Sequence, residues 1–393
     1  MINISEIVKS LNELNIDCFL VTDFKGRDSY ARKILGLREE QVYSRRWYCL
    51  IHRSGSIATV THQIEPDVLP PSSMSELPIS RFYYSSRDEL EKSLAAALHN
   101  SHTVAMCYSP KAEIPIISTV DAGTAELVRS VGVTLVSAAN LLQRCFSKLN
   151  QSSYNSHIEA GEKVDQIRKD AFHFIASEAG SITEYDVVGY ILNRFDDEGL
   201  ISDHPPCVAV NENSGFPHYQ PTKNGAILIK SGDFVLIDLW AKLKSPEAIY
   251  YDITWVGVLR DKPTAEQAKV FSIVQSARDG VVEFIKGRLS NGQAVLGYEA
   301  DKIARDLISQ AGFSANFTHR TGHSINTSVH GEGANLDGYE TYDNRELMPW
   351  SCFSVEPGIY LRNFGIRCEL NLFMLEGSVK VTGEVQDQIV CLG

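Results

Sequence analysis

Asp238, Asp252, His323, Glu356 and Glu369 are the residues of this sequence whose types and surroundings could do chemistry. The acids sit in FVLIDLW, YYDITWVGV, CFSVEPGIYL and GIRCELNLFML, runs that read as buried strands, and the histidine follows Gly322 in HRTGHSI. Burying an unpaired carboxylate is costly, and Arg367 is the only basic residue within three positions of any of the four acids. Divalent metal is the simplest counter-charge. Four carboxylates and a neutral imidazole carry a formal charge of four minus, which two divalent ions balance while staying free to polarise a bridging water. Singly, each acid has a plainer reading: Asp238 closing a turn, Asp252 capping, Glu356 in a turn before Pro357-Gly358, Glu369 pairing with Arg367. Together, with a histidine between the Asp pair and the Glu pair, they point to a dinuclear hydrolase. Gly322 lets the backbone beside His323 approach closely or turn sharply.

The elements that must position these residues form a weak internal repeat of helix, helix and strand-rich block. In the first copy a long helix from about 155 to 179 precedes Thr183, which can cap a second helix with Asp186 at the third position. That helix ends near Gly199, and PPCVAV, ILI and FVLIDLW follow. In the second copy Thr264 caps a helix from 265 to about 287, another runs from 297 to 310 with Gly312 as terminator, and SINTSVH, CFSVEPGIY and GIRCELNLFML follow. Each copy contributes one acidic pair, so a two-fold arrangement would bring the four acids together.

Residues 1 to 150 read as a separate α/β domain. They comprise a helix near 4–15, strands at 18–22, 46–53 and 57–62, a helix near 87–99, a strand at 104–109, a helix near 120–132 and a strand at 134–138. The polar stretch SKLNQSSYNS at 147–156 marks the boundary with a second domain over 151–393. A chain of 393 residues exceeds what one core usually organises.

A net charge of −12, with no long run of Lys or Arg, argues against a nucleic-acid partner. No apolar stretch approaches the length of about 20 residues that spans a bilayer, and the N-terminus has neither the basic start nor the unbroken apolar core of a signal peptide. A cytoplasmic chain with no membrane partner is expected. Eight cysteines without a CxxC pair, in apolar contexts, read as reduced buried thiols. Cys368 adjoins Glu369, but neighbouring side chains on a strand face opposite ways, so it is not a ligand.

PHYQP at 217–221, IDLW, YDITW, HRTGH at 319–323, SVH at 328–330, VEPGIY and GIRCEL stand in the order found in the creatinase and Xaa-Pro peptidase family of M24 metallopeptidases, which this chain resembles over most of its length. The resemblance implies an α+β fold: a pita-bread catalytic domain preceded by an α/β creatinase-type N-terminal domain. SRRW at 44–47, AMCYSP at 105–110 and VDAGTAELVRS at 120–130 are similar to a bacterial branch described as peptidase-like. Asp238 would chelate one of two divalent ions (Mn, Co, Fe or Zn), His323 and Glu356 would each bind one, and Asp252 and Glu369 would bridge. The resemblance also implies that the bridging water is the nucleophile and that Glu356 accepts its proton. His218 and His330 match the two histidines that contact substrate and the tetrahedral intermediate, and His319 and Arg367 match supporting positions behind the ligands. An Xaa-Pro aminopeptidase or dipeptidase acting on a peptide or small amide, working as a homodimer, is the expected protein. SRRW could reach a neighbouring subunit's site or form a surface or inter-domain salt bridge, the second being favoured.

The chain departs from the family pattern at several points. Asp238 and Asp252 are fourteen positions apart where about eleven is usual, which lengthens a hairpin through KLKSPEA, and Trp240, Trp255 and Gly331 stand where a glycine, an arginine and an acid are usual. None is a ligand, and the two tryptophans would make the pocket wall more apolar. Three other readings stay open: a metal-independent amidinohydrolase of creatinase type, a hydrolase of a non-peptide amide or organophosphate ester on the same site, and a non-catalytic binding module. A complete ligand set argues against the first and the last.

Overall fold

The computed structural model describes residues 4–38, 40–41, 43–69 and 78–393 and divides between Phe146 and Ser147 into two compact units. The first contains α1 (Ile4–Glu13), β1 (Cys18–Asp23), α2 (Ser29–Leu35), β2 (Trp47–His52), β3 (Ile57–His62), β4 (Ile79–Tyr84), α3 (Arg87–Leu98), β5 (Thr103–Met106), α4 (Ala122–Ser130), β6 (Thr134–Ser137) and α5 (Ala139–Phe146). Among the described residues its six strands form one sheet, ordered β4-β3-β2-β1-β5-β6, in which β1 pairs antiparallel with β2 and parallel with β5. Odd positions such as Phe19, Trp47 and Ala105 pack on one face, and even positions such as Leu20, Tyr48 and Val104 on the other. Burial on both faces is why these strands read as unbroken apolar runs.

Seven elements of this unit match the sequence expectation to within a few residues. α2, β4 and α5 were not expected: the helices span seven and eight residues, and ISRFYY is a half-exposed edge strand. The strand expected over 104–109 stops at Met106, because the Cys107 carbonyl turns to accept from the Thr119 and Val120 amides. SRRW is tied within the unit, with Arg46 on Asp121 at 2.9 Å and the Ser44 and Arg45 amides on Glu65.

The second unit opens with α6 (Gln151–Glu178), capped by Asn150, so the polar stretch at 147–156 is largely the first turns of a helix. α7 (Glu184–Asp197), β7 (Leu200–Ile201), β8 (Cys207–Val210), β9 (Phe234–Leu243) and β10 (Tyr251–Val258) complete the first copy. The second copy holds α8 (Ala265–Ser290), α9 (Gly297–Gln310), β11 (Ser324–Ile325), β12 (Cys352–Val355), β13 (Gly358–Tyr360), β14 (Gly365–Arg367), β15 (Leu370–Leu375) and β16 (Ser378–Thr382), and β17 (Val390–Cys391) returns to pair with β10. Thr183 with Asp186 and Thr264 with Gln267 form the capping boxes that start α7 and α8.

Strand alternation decides which way the acids point. In β9 and β10, Ile237, Leu239, Ile253 and Trp255 pack with Val164, Ile167 and Ala171 of α6, so Asp238, Asp252 and Thr254 lie on the opposite face. The ladder sets Asp238 opposite Thr254 and Asp252 opposite Trp240, which makes the two aspartates diagonal neighbours. β12–β15 and β13–β14 form one hairpin in a single register, running from Cys352↔Phe373 to Val355↔Leu370 and again from Gly358↔Arg367 to Tyr360↔Gly365. Glu356 and Glu369 therefore fall opposite each other in the break between the two ladders. This corrects the expectation that all four acids lie inside strands, since only Asp238 and Asp252 do. Pro357 has no amide to donate, and the Glu356 and Glu369 amides turn outward to the Thr321 and Thr254 carbonyls.

Asn371 stitches the two hairpins: its side chain accepts from the Asp252 amide at 3.0 Å and donates to the Asp252 carbonyl at 2.6 Å, entirely buried. Asn371→Leu should leave that amide and carbonyl unpaired and cost about 2–4 kcal/mol, read as a lower urea midpoint. An unchanged midpoint would mean that the stitch contributes nothing to stability.

Candidate metal centre

Asp252, His323 and Glu369 each bring a ligand atom to within 4.8 Å of the others, all three buried. The His323 Nε2 atom lies 3.4 Å from Asp252 Oδ2 and 3.5 Å from Glu356 Oε1. His323 stands just before β11, its amide donating to Ser354 Oγ at 3.0 Å. Gly322 is required there, since a Cβ would sit 2.0 Å from the Ser354 carbonyl oxygen. Ser354 Oγ in turn donates to Glu356 Oε1 at 3.2 Å.

Asp238 is held differently, by the Arg367 guanidinium, and not within the tight group of three. Arg367 is buried; its Nε donates to Thr254 Oγ1 at 2.9 Å and its Nη1 to the Tyr360 hydroxyl at 3.0 Å, and Nε lies 3.7 Å from Glu356 Oε2. Thr254 passes its own hydrogen to Glu369 Oε2 at 2.7 Å. Arg367 thus pairs with Asp238 and not, as the plainer reading had it, with Glu369. His319 completes the chain: its Nδ1 faces the Arg320 carbonyl at 2.7 Å, so Nε2 is the acceptor of the Tyr360 O–H, also at 2.7 Å. Burial and the nearby Arg367 charge hold the His319 imidazole neutral, its pKa pushed down to about 3.

All five expected ligands, together with His218, His319, His330 and Arg367, line one cavity of about 720 Å³. His330 packs edge-on against His323, ring centroids 4.4 Å apart, and His218 is exposed on the wall beside Tyr219, whose hydroxyl anchors that loop to Glu184 at 2.7 Å. Trp240 lines the cavity with its indole N–H on Asp203 Oδ1 at 3.0 Å, but Trp255 does not. The expectation for Trp255 is corrected: it lies on the α6 side of β10, where the Arg168 guanidinium stacks 3.5 Å from its ring centroid. Gly331 is likewise not part of the wall; a Cβ there would meet Ser324 Oγ at 2.8 Å.

The donor set suits divalent cations. Asp252 Oδ1 and Glu369 Oε1 are buried carboxylate oxygens with no hydrogen-bond partner, and an oxygen-rich set with one imidazole favours Mn, Co, Fe or Zn. Burial, aided by repulsion from neighbouring carboxylates (Asp203 in the case of Asp252), raises all four acids above the usual carboxylate range, Asp238 to about 6 and Asp252 to about 7, although Arg367 opposes the shift at each. His323 is pushed down, mainly by burial, which keeps it neutral and able to ligate.

Thr254, Asn371, Tyr360 and Ser354 escaped the sequence reading. Thr254, Asn371 and Ser354 carried the one local signal, a polar residue two positions from an acid, but the partners of Thr254 and Asn371 lie 115 and 119 positions away.

Compared with known proteins, residues 155–376 match metallopeptidase family M24. A putative Xaa-Pro aminopeptidase of Mycoplasma genitalium is 30% identical over 217 residues, 54% of this chain and 57% of that protein. A probable dipeptidase PepE of Mycobacterium bovis is 25% identical over 361 residues, 91% of this chain and 88% of that one. In fold, the chain matches dipeptidase PepE from Mycobacterium ulcerans with a TM-score of 0.68 at 21% identity, covering 99% and 97% of the two chains. It matches an Xaa-Pro dipeptidase from Bacillus anthracis with a TM-score of 0.60 at 18% identity, covering 99% of each.

The raised carboxyls predict how the metal-free protein responds to pH. These four acids bind more protons in the folded chain than in the unfolded chain, so their contribution to stability is full below the ordinary carboxylate pKa and falls as pH rises through about 7, whereas His157, His319, His323 and His330, held neutral by burial, act in the opposite sense below about pH 6.5. Above the ordinary histidine pKa only the acids still act, so urea midpoints in chelator should drop from pH 7 to pH 8.5, and divalent metal should restore them at the higher pH. A midpoint in chelator that rises with pH would contradict the crowded-carboxylate account.

Proposed function

The chain belongs to metallopeptidase family M24, and we propose that it is a peptidase of the Xaa-Pro type that binds two divalent ions through Asp238, Asp252, His323, Glu356 and Glu369. The observation that carries the metal assignment is the pair of buried, unpartnered oxygens on Asp252 and Glu369 beside a neutral imidazole. Left without cations, these acids face one another in a site that strongly disfavours their ionisation. Two such ions, when bound, supply Lewis acidity toward an amide carbonyl and a water of lowered pKa. Asp252 and Glu369, the more buried acids, would hold the ions from the depth of the site, whereas Glu356 is partly open to the cavity and suits the role of proton acceptor.

The histidines line the space where a substrate would lie. His218 and His330 are exposed to the cavity and are assigned to contacts with the substrate carbonyl and the tetrahedral species. His319 is a positioning residue: through Tyr360 and Arg367 it fixes the side of the site that holds Asp238. The Xaa-Pro preference is supported by the relatives' names, and Trp240 supplies an apolar wall against which a proline ring could pack.

Two metals per chain by elemental analysis and hydrolysis of an Xaa-Pro peptide after Mn or Co loading are the expected results. Asp252→Asn or Glu369→Gln should lower turnover by roughly 100-fold or more and release metal, with an unchanged far-UV spectrum. Full activity and full metal content in either variant would refute the ligand assignment. Metal without cleavage of any peptide would move the activity to a non-peptide amide or ester.

A further inference from the structure

The imidazole of His218 lines the cavity but makes no hydrogen bond and no ion pair among the described residues. Its placement therefore falls to its backbone, which belongs to the connection over 211–233 between β8 and β9. Connections longer than about 15 residues with little structure of their own are uncommon, and this one contains only a short helical turn over Asn211–Gly215. Groups outside the connection have to hold it.

Glu184 is the principal one. It is wholly buried in the first turn of α7 and makes no ion pair among the described residues. Its Oε1 accepts from the Val210 amide at 2.7 Å and from Asn213 Nδ2 at 3.0 Å, and its Oε2 accepts from the Tyr219 hydroxyl at 2.7 Å and the Ile227 amide at 3.1 Å. These donors belong to the root of the loop, its first turn, the residue after His218 and the returning limb. A carboxylate only accepts, and it offers room for about four hydrogen bonds, so one side chain does for this loop what a ladder does for a strand. The limb before His218 is held separately. The Gly365 amide donates to Ser214 Oγ at 2.8 Å, Arg367 Nη1 donates to the Pro217 carbonyl at 3.5 Å, and a Cβ on Gly215 would lie 2.3 Å from the Leu361 carbonyl oxygen. His218 thus stands between two clamps, one closing on Pro217 and the other on Tyr219. We propose that Glu184, acting through Tyr219, is a positioning residue that sets where the His218 imidazole meets the substrate; this rests on the role given to His218 in the peptidase reading.

The test is a double-mutant cycle on the Mn-loaded chain with an Xaa-Pro dipeptide, using Glu184→Gln, Tyr219→Phe, His218→Ala and the two double variants. Glutamine keeps the volume of Glu184 but turns an NH2 group toward the Val210 or the Ile227 amide, so the loop has to shift, whereas phenylalanine removes only the Tyr219 hydroxyl. Glu184→Gln should lower kcat by roughly 10- to 100-fold and Tyr219→Phe by roughly 3- to 10-fold, with KM within about twofold of wild type, as when an interaction made in the transition state is misplaced. Metal content should match wild type. In the His218→Ala background either change should cost less than about twofold, because no imidazole is left to place. Equal fold-losses in both backgrounds would make Glu184 a general support of the unit and overturn the proposal, as would loss of metal together with activity, or wild-type rates in both single variants. Should Glu184→Gln fail to fold, Tyr219→Phe decides by the same criteria. A His218→Ala chain with wild-type rates would remove both His218 and its positioning from the mechanism while leaving the peptidase reading intact, and a wild type that cleaves no peptide ends that reading as well.

Discussion

Like charges crowded into a dry space are the constraint on which the catalytic unit depends. Asp252 and Glu369 are almost wholly buried, Asp238 and Glu356 only slightly less so, and one guanidinium, that of Arg367, stands among them. Much of the surrounding architecture is a response to that crowding. Thr254 relays Arg367 to Glu369, Tyr360 relays it to His319, and Ser354 supports His323 and Glu356 at once. Helices α6 on one side and α8 and α9 on the other bury the outward faces of the two hairpins in apolar clusters.

The two halves of the unit achieve this by different local means. In the first, both acids sit within regular ladder and are diagonal neighbours, which separates them by pleat geometry. In the second, the acids are directly opposed, and the ladder gives way around them so that their amides seek partners in other segments. Repetition of an architecture therefore does not mean repetition of its hydrogen bonds. The shared element is a hairpin with one face turned to the centre.

Much of this was legible in the sequence. The buried strands around Asp238 and Asp252, the capping threonines at 183 and 264, and the glycine before His323 each carry a local physical signature, and each appears in the structure as expected. The ordered motifs pointed to the fold. What escaped depends on long-range pairing: Asn371 as a stitch on the Asp252 backbone, Tyr360 as a relay, and the orientation of Trp255 toward Arg168. Trp255 is instructive, because strand parity alone sets it on the face opposite Thr254, whereas the family pattern suggested a place on the pocket wall. Short elements such as α2 and α5 escaped for a different reason, having too few turns to display a period.

The diagonal placement of Asp238 and Asp252 bears on how such sequences change length. Their separation of fourteen positions is absorbed in the connection between Leu243 and Tyr251, outside the paired strands. Residues added at that tip, in odd or even number, leave both carboxylates facing inward. A single residue added between Asp238 and Leu243 would instead rotate the remainder of the strand by one face and turn Trp240 and Lys242 toward the packing surface of α6. Insertions and deletions in relatives of this chain should accordingly collect at hairpin tips, and an alignment that opens a gap inside β9 or β10 has misplaced it.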